Sequence, residues 1–458
     1  MWNFKFSDNE KKPRYLAIAD ALEHDILSGE LAPGTRMMTH RELAIKTGVT
    51  VSTVTKAYAE MERRGLAKGT VGRGTYVLNQ AHRGSAPQQT TTDQIVEMGV
   101  AMPLPHLEPD IKPIMQKVME MHDIDSLAKS FSPLACSEHR KIGAEWLSCG
   151  GVDATPDSTL VTNGHQHSLV SIFSSLFEAG DCIAVDYLAN QGFMVLAQRS
   201  CLELEGIIMD EHGMVPELLD KACQTKKIRG VYLTGNVQNP SARRIPHERC
   251  KDLCDVIARH NLILIEDASF SMGMSQNNAL SASLPASSVY FASISSAIYA
   301  GLRVGFVHAP ITFYSRISQA IMANIWTVAP LCVALVCEAI SSGAAEKAIQ
   351  RKRKELERRV ALLKSAFADF DLTCSEQSIY AWLTLPGFWR SRDFEQQAEK
   401  HGVRVFSADR FIIGNHVAPN CVRLAFTGPS DIQDLKRGLN ILAGLLHRKE
   451  EGSIAPIW

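Results

Sequence analysis

Ser52, Thr53, Thr55 and Lys56 crowd into one short stretch, interleaved with Val54, Ala57, Tyr58 and Met61. On a helix the apolar set faces inward and leaves three hydroxyls and one ammonium exposed. Such groups bond base edges and phosphate oxygens. Arg41, in the first turn of a preceding helix, is placed to clamp a phosphate or read a guanine. Arg73 lies between Gly72 and Gly74, whose lack of side chains admits the close backbone approach that a minor-groove contact needs. Cys250 and Cys254 stand four residues apart on an expected helix, but no nearby His or Cys pair completes a zinc set, so no metal site is expected.

These residues need a frame, and the spacing of apolar residues supplies one. Tyr15, Ile18, Ala19, Leu22 and Ile26 share one helical face, and Gly29 with Pro33-Gly34 ends that helix. Thr39 and Glu42 form a capping box for a second helix, which stops at Gly48. Thr50 caps a third helix, running through about Arg64 and ended by Gly65. Leu66–Val77, with Gly69, Gly72 and Gly74, reads as a two-stranded hairpin. Three helices and a hairpin over 12–78 make a winged helix-turn-helix, with the third helix in the major groove. The alternative is a winged helix used only for protein contacts.

Residues 79–94 are polar and hold almost no large apolar side chain, so they are expected to be a flexible linker. From 95 to 458 strands alternate with helices. Strands are expected at Thr159–Thr162, Cys182–Val185, Gly230–Leu233, Leu262–Ile265, Val289–Ala292 and Val304–His308. Helices are expected at Gln166–Phe177 and His247–Arg259. The pattern implies an α/β domain, a mainly parallel sheet covered on both faces. A long charged helix at Glu346–Phe367 leads into a smaller C-terminal α+β subdomain.

The chain has 458 residues and a net charge of −1, which gives it no overall attraction for nucleic acid. Residues 1–78, however, carry 12 Lys and Arg against 9 Asp and Glu, a mild lean toward phosphate. The 11 cysteines have no framework spacing, which fits reduced thiols in cytosol. Met1–Phe6 lacks a signal-peptide core, and no run of about 18 apolar residues occurs, so a cytoplasmic protein without membrane contact is expected.

Four segments, Gly29-Glu-Leu-Ala-Pro-Gly34, Thr39-His-Arg-Glu-Leu-Ala44, Thr53-Val-Thr-Lys-Ala-Tyr58 and Gly72-Arg-Gly-Thr-Tyr76, together resemble the GntR-type winged-helix domain. That resemblance implies double-stranded operator DNA as partner. The family's third helix is usually richer in arginine. Here Val51 and Thr55 hold those slots, which leaves the operator sequence open.

Residues 291–305, Phe-Ala-Ser-Ile-Ser-Ser-Ala-Ile-Tyr-Ala-Gly-Leu-Arg-Val-Gly, resemble the cofactor segment of fold-type I aminotransferases, Ser-x-Ser-Lys-x-x-x-x-Gly-x-Arg. The resemblance implies a pyridoxal phosphate site that includes Ser293 and Ser295. Arg303 and the Gly164-His165-Gln166 cradle would hold the phosphate. Asp267 would pair with the ring nitrogen, Asn239 would bond the phenolic oxygen, and Arg423 would clamp a substrate carboxylate. Asn190 stands where the family has a stacking aromatic, and Ser269 or Phe270 where it has a tyrosine. Ser296 stands at the lysine position, and no lysine occurs from Asp252 to Glu346. A hydroxyl forms no imine with an aldehyde, so no transaminase activity is expected, and any pyridoxal phosphate would bind non-covalently. Read alone, Asp267 could be a strand-end turn residue, Asn239-Pro240 a plain turn, and Arg303 and Arg423 ion-pair residues.

The combination resembles MocR-type regulators of the GntR superfamily. It implies a transcription regulator whose large domain senses pyridoxal phosphate, a small amino-acid-like effector, or both. A head-to-tail homodimer is implied as well. Two alternatives stay open: an aminotransferase that has lost its lysine by engineering, fused to a winged helix, and a regulator whose large domain binds another ligand or only dimerises.

Overall fold

A computed structural model describes residues 13–27, 31, 35, 37–63, 66–70, 74–77, 95–121, 124–129, 135–270, 279–375 and 377–447. The chain divides into two compact units, Met1–Thr91 and Thr92–Trp458. Gly29, Pro33-Gly34, Gly65, Gly72, Arg73 and the polar stretch 79–94 lie outside the described residues.

In the first unit, helices Arg14–Leu27, His40–Thr47 and Val51–Arg63 precede an antiparallel hairpin, Ala67–Thr70 with Gly74–Val77. Ile18, Ala19, Leu22, Leu43, Val54, Ala57, Met61 and Leu66 bury one core. The capping box forms: the Thr39 hydroxyl accepts from the Glu42 amide at 3.3 Å, and a Glu42 carboxylate oxygen accepts from the Thr39 amide at 2.8 Å. Gly48 ends the second helix at φ +67, a left-handed conformation that glycine reaches without a Cβ clash. The Tyr58 hydroxyl donates to the Met38 carbonyl at 2.7 Å, which ties the third helix to the segment entering the second.

The second unit is built on a seven-stranded sheet in the order Thr159–Thr162, Gly305–His308, Ser288–Ser293, Ile263–Asp267, Ile228–Leu233, Cys182–Asp186, Glu203–Ile207. All neighbours pair in parallel except Gly305–His308, antiparallel to both its partners. The central strands are buried on both faces, as their near-continuous apolar runs require. Helix Gly164–Leu176 covers one face through Leu169, Ile172, Phe173 and Leu176. Helix His247–Arg259 packs Leu253 and Ile257 with Val231 and Leu264.

A smaller four-stranded antiparallel sheet takes Leu372–Thr373, Ala381–Thr384, Cys421–Leu424 and Phe406–Ser407 in that order. Helices Ala344–Ala366, Ser391–Lys400 and Ile432–His447 accompany it. The segment after the polar stretch belongs to this subdomain. Val96–Glu97 pairs in parallel with Val403–Arg404, and Val96, Met98 and Leu104 join its core. Sequence reading placed only alternating strands and helices from 95 onward. A two-residue strand is too short to show a period, so this tie was not legible.

Candidate ligand cleft and nucleic-acid interface

The carboxyl ends of parallel strands open a crevice in α/β sheets, and the candidate residues gather there. Gly164 starts its helix at φ +77, and a Cβ built on it would lie 3.0 Å from the Arg303 guanidinium. That guanidinium also donates to the Ser295 hydroxyl at 3.1 Å, which in turn accepts from Ser293 at 3.1 Å. A helix N-terminus, two hydroxyls and an arginine with no carboxylate against it among the described residues form a cradle suited to a phosphate. Gln166 is exposed in the helix's first turn.

Asp267 closes the strand Ile263–Asp267 and is 2% exposed. One carboxylate oxygen contacts His165 Nε2 at 2.6 Å and accepts from the Tyr232 hydroxyl at 2.7 Å; the other accepts from the Ser269 amide at 2.9 Å. Burial pushes its pKa up, but the His165 charge and these hydrogen bonds win and hold it below the usual carboxylate value. Asp267 is therefore suited to stay ionised. Tyr232, on the neighbouring strand, was missed from sequence; a tyrosine inside an apolar strand was its only signal.

Arg423 sits on the strand Cys421–Leu424 of the small sheet and is 7% exposed. Its Nη1 donates to Asn239 Oδ1 at 2.8 Å and its Nη2 to the Gly99 carbonyl at 2.6 Å. Its Nε has no acceptor, nor has the buried Tyr380 hydroxyl nearby. Tyr380, Phe406 and Phe411 place their rings 4.8 to 5.5 Å from the guanidinium carbon. Burial lowers the Arg423 pKa to about 10. Among the described residues the guanidinium is thus buried against neutral acceptors and aromatic faces, with no carboxylate bonded to it. A buried cation in that state gains most from an incoming anion.

Asn190 caps the helix Gln191–Arg199, its side-chain oxygen accepting from the Phe193 amide at 3.2 Å. Its oxygen is thereby committed to the backbone. Ser296 lies in a short 3-10 turn, Ile294–Ser296. Lys352, fully buried on the long helix, donates to the Ala297 carbonyl at 2.8 Å and reaches the Ser296 carbonyl at 3.5 Å and Glu108 at 3.4 Å. Cys250 and Cys254 have Ile245 and Leu280 carbonyls as partners, and the described residues contain no metal-type cluster.

In the first unit Arg41, Ser52, Thr55 and Lys56 are exposed. Thr53 is half-buried rather than exposed, and its hydroxyl pairs with that of Thr50 at 2.9 Å. The Thr55 hydroxyl donates to the Val51 carbonyl at 3.0 Å, leaving only its acceptor side for a ligand.

The winged helix and the aminotransferase-type sheet define a class: a helix-turn-helix module joined to an aminotransferase-fold body. Comparison with known proteins agrees. Residues 14–77 match the model described as bacterial regulatory proteins, gntR family, and residues 102–441 match aminotransferase class I and II. The HTH-type transcriptional regulator YdeF of Bacillus subtilis is 32% identical over 445 residues, covering 96% of each chain. The HTH-type transcriptional regulator TauR of Rhodobacter capsulatus is 24% identical over 459 residues, covering 89% of this chain and 92% of its own. Among solved structures, the kynurenine aminotransferase of Pyrococcus horikoshii superposes with a TM-score of 0.70 at 21% identity, covering 78% of this chain and 91% of its own. LysN, the α-aminoadipate aminotransferase of Thermus thermophilus, solved with N-(5'-phosphopyridoxyl)-L-leucine, gives 0.69 at 19%, covering 77% and 92%. The chain belongs to the MocR-type branch of the GntR regulators, a winged helix-turn-helix fused to a class I/II aminotransferase domain. It is an HTH-type transcription regulator with an aminotransferase-like body, and its GntR domain implies DNA binding. Among the described residues no helix is long and apolar enough to cross a membrane.

Proposed function

We propose that the body is a receptor for a phosphorylated pyridoxyl compound carrying a carboxylate, or for its two halves together, and that occupancy sets how the reader engages its operator. The observation that carries this reading is the buried Arg423 guanidinium, bonded among the described residues to neutral acceptors, in the same domain as a phosphate cradle of Arg303, Ser293 and Ser295. In this reading residues 12–78 read DNA, 79–94 link, and 95–458 bind effector and dimerise.

The cradle of Gly164, Ser293, Ser295 and Arg303 fits a phosphate, and ionised Asp267 fits a pyridinium nitrogen. The covalent end does not fit. Ser296 offers a hydroxyl, and the amine of Lys352 is held by main-chain carbonyls. Pyridoxal phosphate, when bound, supplies an electrophilic aldehyde and an electron-withdrawing ring. The chain's own part is to hold the phosphate, keep a negative charge at Asp267, and clamp a carboxylate at Arg423 with Asn239. His165, Gln166 and Asn190 shape the rim. The absence of an amine at 296 supports a receptor over a transaminase, because transimination and proton transfer both need one.

On the DNA side, Arg41 and Lys56 would contact phosphate or guanine, Ser52, Thr53 and Thr55 base edges or phosphates, and Arg73 the minor groove. A homodimer belongs to the same reading. Exposed Met115 and Met119, one turn apart, and Trp326 support a further apolar contact. Such a ligand can shift a regulator only through different affinities for its two states.

Native mass spectrometry tests the reading on the full chain. It would be run alone, with pyridoxal phosphate, and with N-(5'-phosphopyridoxyl)-L-leucine. A retained non-covalent mass, larger for the leucine adduct, and a dimer are the expected results. No uptake of either compound at millimolar concentration would overturn the cofactor side of the proposal.

A further inference from the structure

The long helix Ala344–Ala366 concentrates positive charge on an otherwise acidic body. Residues 92–458 hold 40 acidic against 35 basic side chains, yet residues 347–364 hold 8 basic against 2 acidic. The helix sorts these cations by face. Lys352 and Arg359 turn inward and are wholly buried; Lys352 bonds the Ala297 carbonyl, and Arg359 bonds those of Phe426 and Pro429. Ala348, Ile349, Leu356, Val360 and Leu363 fill the same inner side.

Lys347, Arg351, Lys354 and Arg358 all point outward and are exposed. Their spacing of four, three and four residues puts them in one straight row on a 3.6-residue helix. The row spans roughly 16 Å at about 1.5 Å per residue. No ion pair involves Lys347 or Lys354 among the described residues. Arg351 donates to the Leu107 carbonyl, and Arg358 has only Glu355 at 3.8 Å, a carboxylate that Arg359 already holds at 2.8 Å. At about 100° per residue, Glu346 and Glu357 leave the helix roughly a quarter-turn from the row. The row itself therefore carries no acid.

We propose that this face is a second DNA-contacting surface, one that binds the phosphate backbone of a duplex without reading its bases. A line of cations about 5 Å apart complements a polyanion that carries one charge per about 1.7 Å of axis. DNA is the favoured polyanion, because the chain carries a GntR DNA-binding domain. Phosphate contacts of this kind position a protein and add to affinity without adding sequence preference. The proposal rests on the DNA-binding reading of the first unit and is independent of the effector.

The test is a salt titration of the full-length protein on a fluorescent 40-base-pair random duplex, a length of about four helical turns. Each lost phosphate contact lowers the slope of log K against log salt by about 0.9. The triple variant K347Q/K354Q/R358Q should lose about 2 to 3 from that slope. The charge-keeping variant K347R/K354R/R358K should retain it. In the first unit, R41Q/K56Q should lower the slope separately, by up to about 2. A triple variant with the wild-type slope would overturn the proposal while leaving the winged helix intact as a reader. Loss of slope in the charge-keeping variant as well would also overturn it, by showing a structural effect. A wild-type chain that holds no duplex sinks both this surface and the reader.

Discussion

Arg423→Gln removes the charge proposed to hold a ligand carboxylate while keeping a polar side chain of moderate length. In the free protein the substitution removes the bonds to Asn239 and the Gly99 carbonyl, a loss common to both compounds below. The guanidinium is 7% exposed and bonded to the neutral acceptors Asn239 and Gly99, so the charge is already held at a disadvantage. In the liganded protein the cost is larger, because the carboxylate would lie in a desolvated site without a counter-charge. Truncating one partner of such a buried charged pair costs about 2–5 kcal/mol, which corresponds to roughly 30- to 4,000-fold in dissociation constant. Isothermal titration of wild type and R423Q with N-(5'-phosphopyridoxyl)-L-leucine reads that ratio. Pyridoxal phosphate, which lacks the carboxylate, serves as control and should shift by less than about tenfold. Equal losses for the two compounds, or a leucine adduct bound within about threefold of wild type, would refute the role given to Arg423.

Three further outcomes are expected. Asp186 is fully buried, and burial raises its pKa from 3.8 to about 7 against the opposing Gln238 bond and Arg243 charge. The folded state then keeps a proton that the unfolded state has lost, so stability falls as pH rises from about 4 to 7, by about 1.4 kcal/mol per pH unit and at most about 4 kcal/mol. The stability of Asp186→Asn relative to wild type, from urea titrations, should therefore climb across that window and level off above 7; a difference constant with pH would contradict it. Ser296→Lys should produce visible absorbance on addition of pyridoxal phosphate, since the Lys352 ammonium behind the turn disfavours a second charge and keeps the new amine reactive. A colourless variant that still binds the compound by mass would show that position 296 does not face its aldehyde. Thr39→Ala removes the cap of the second helix and should destabilise the first unit by about 1 kcal/mol; an unchanged thermal midpoint for DNA binding would argue against it.

Local order was legible in the sequence because its causes are local. Thr39 and Glu42 announce a helix start by themselves, and the strand Thr159–Thr162 and the helix His247–Arg259 fall on the expected residues. Asp267, Asn239, Arg303 and Arg423 were proposed for the site through order, spacing and resemblance, and their hydrogen-bond partners are what the structure adds. What surrounds them was not legible, because it arrives from distant chain. Tyr232 bonds Asp267 from 35 residues away, and the Gly99 carbonyl meets Arg423 from 324 away. Nothing near Tyr380 marks its hydroxyl as one that will be buried without an acceptor. Asn190, placed at the site by resemblance, also caps the helix Gln191–Arg199 through its side-chain oxygen, a second role that its sequence position did not announce.

Gly99 gives the arginine clamp a reach beyond the pocket. Its carbonyl holds Arg423 Nη2, its amide is fixed to the Glu97 carboxylate at 2.8 Å, and a Cβ there would meet the Phe406 ring at 2.7 Å. The described residues that follow the polar stretch are thereby bonded to the guanidinium proposed to take a ligand carboxylate. A carboxylate that took Nη2 would free the Gly99 carbonyl, close to where Val96–Glu97 joins the small subdomain. Substitutions at 97–101 should therefore alter how strongly a guest changes DNA affinity.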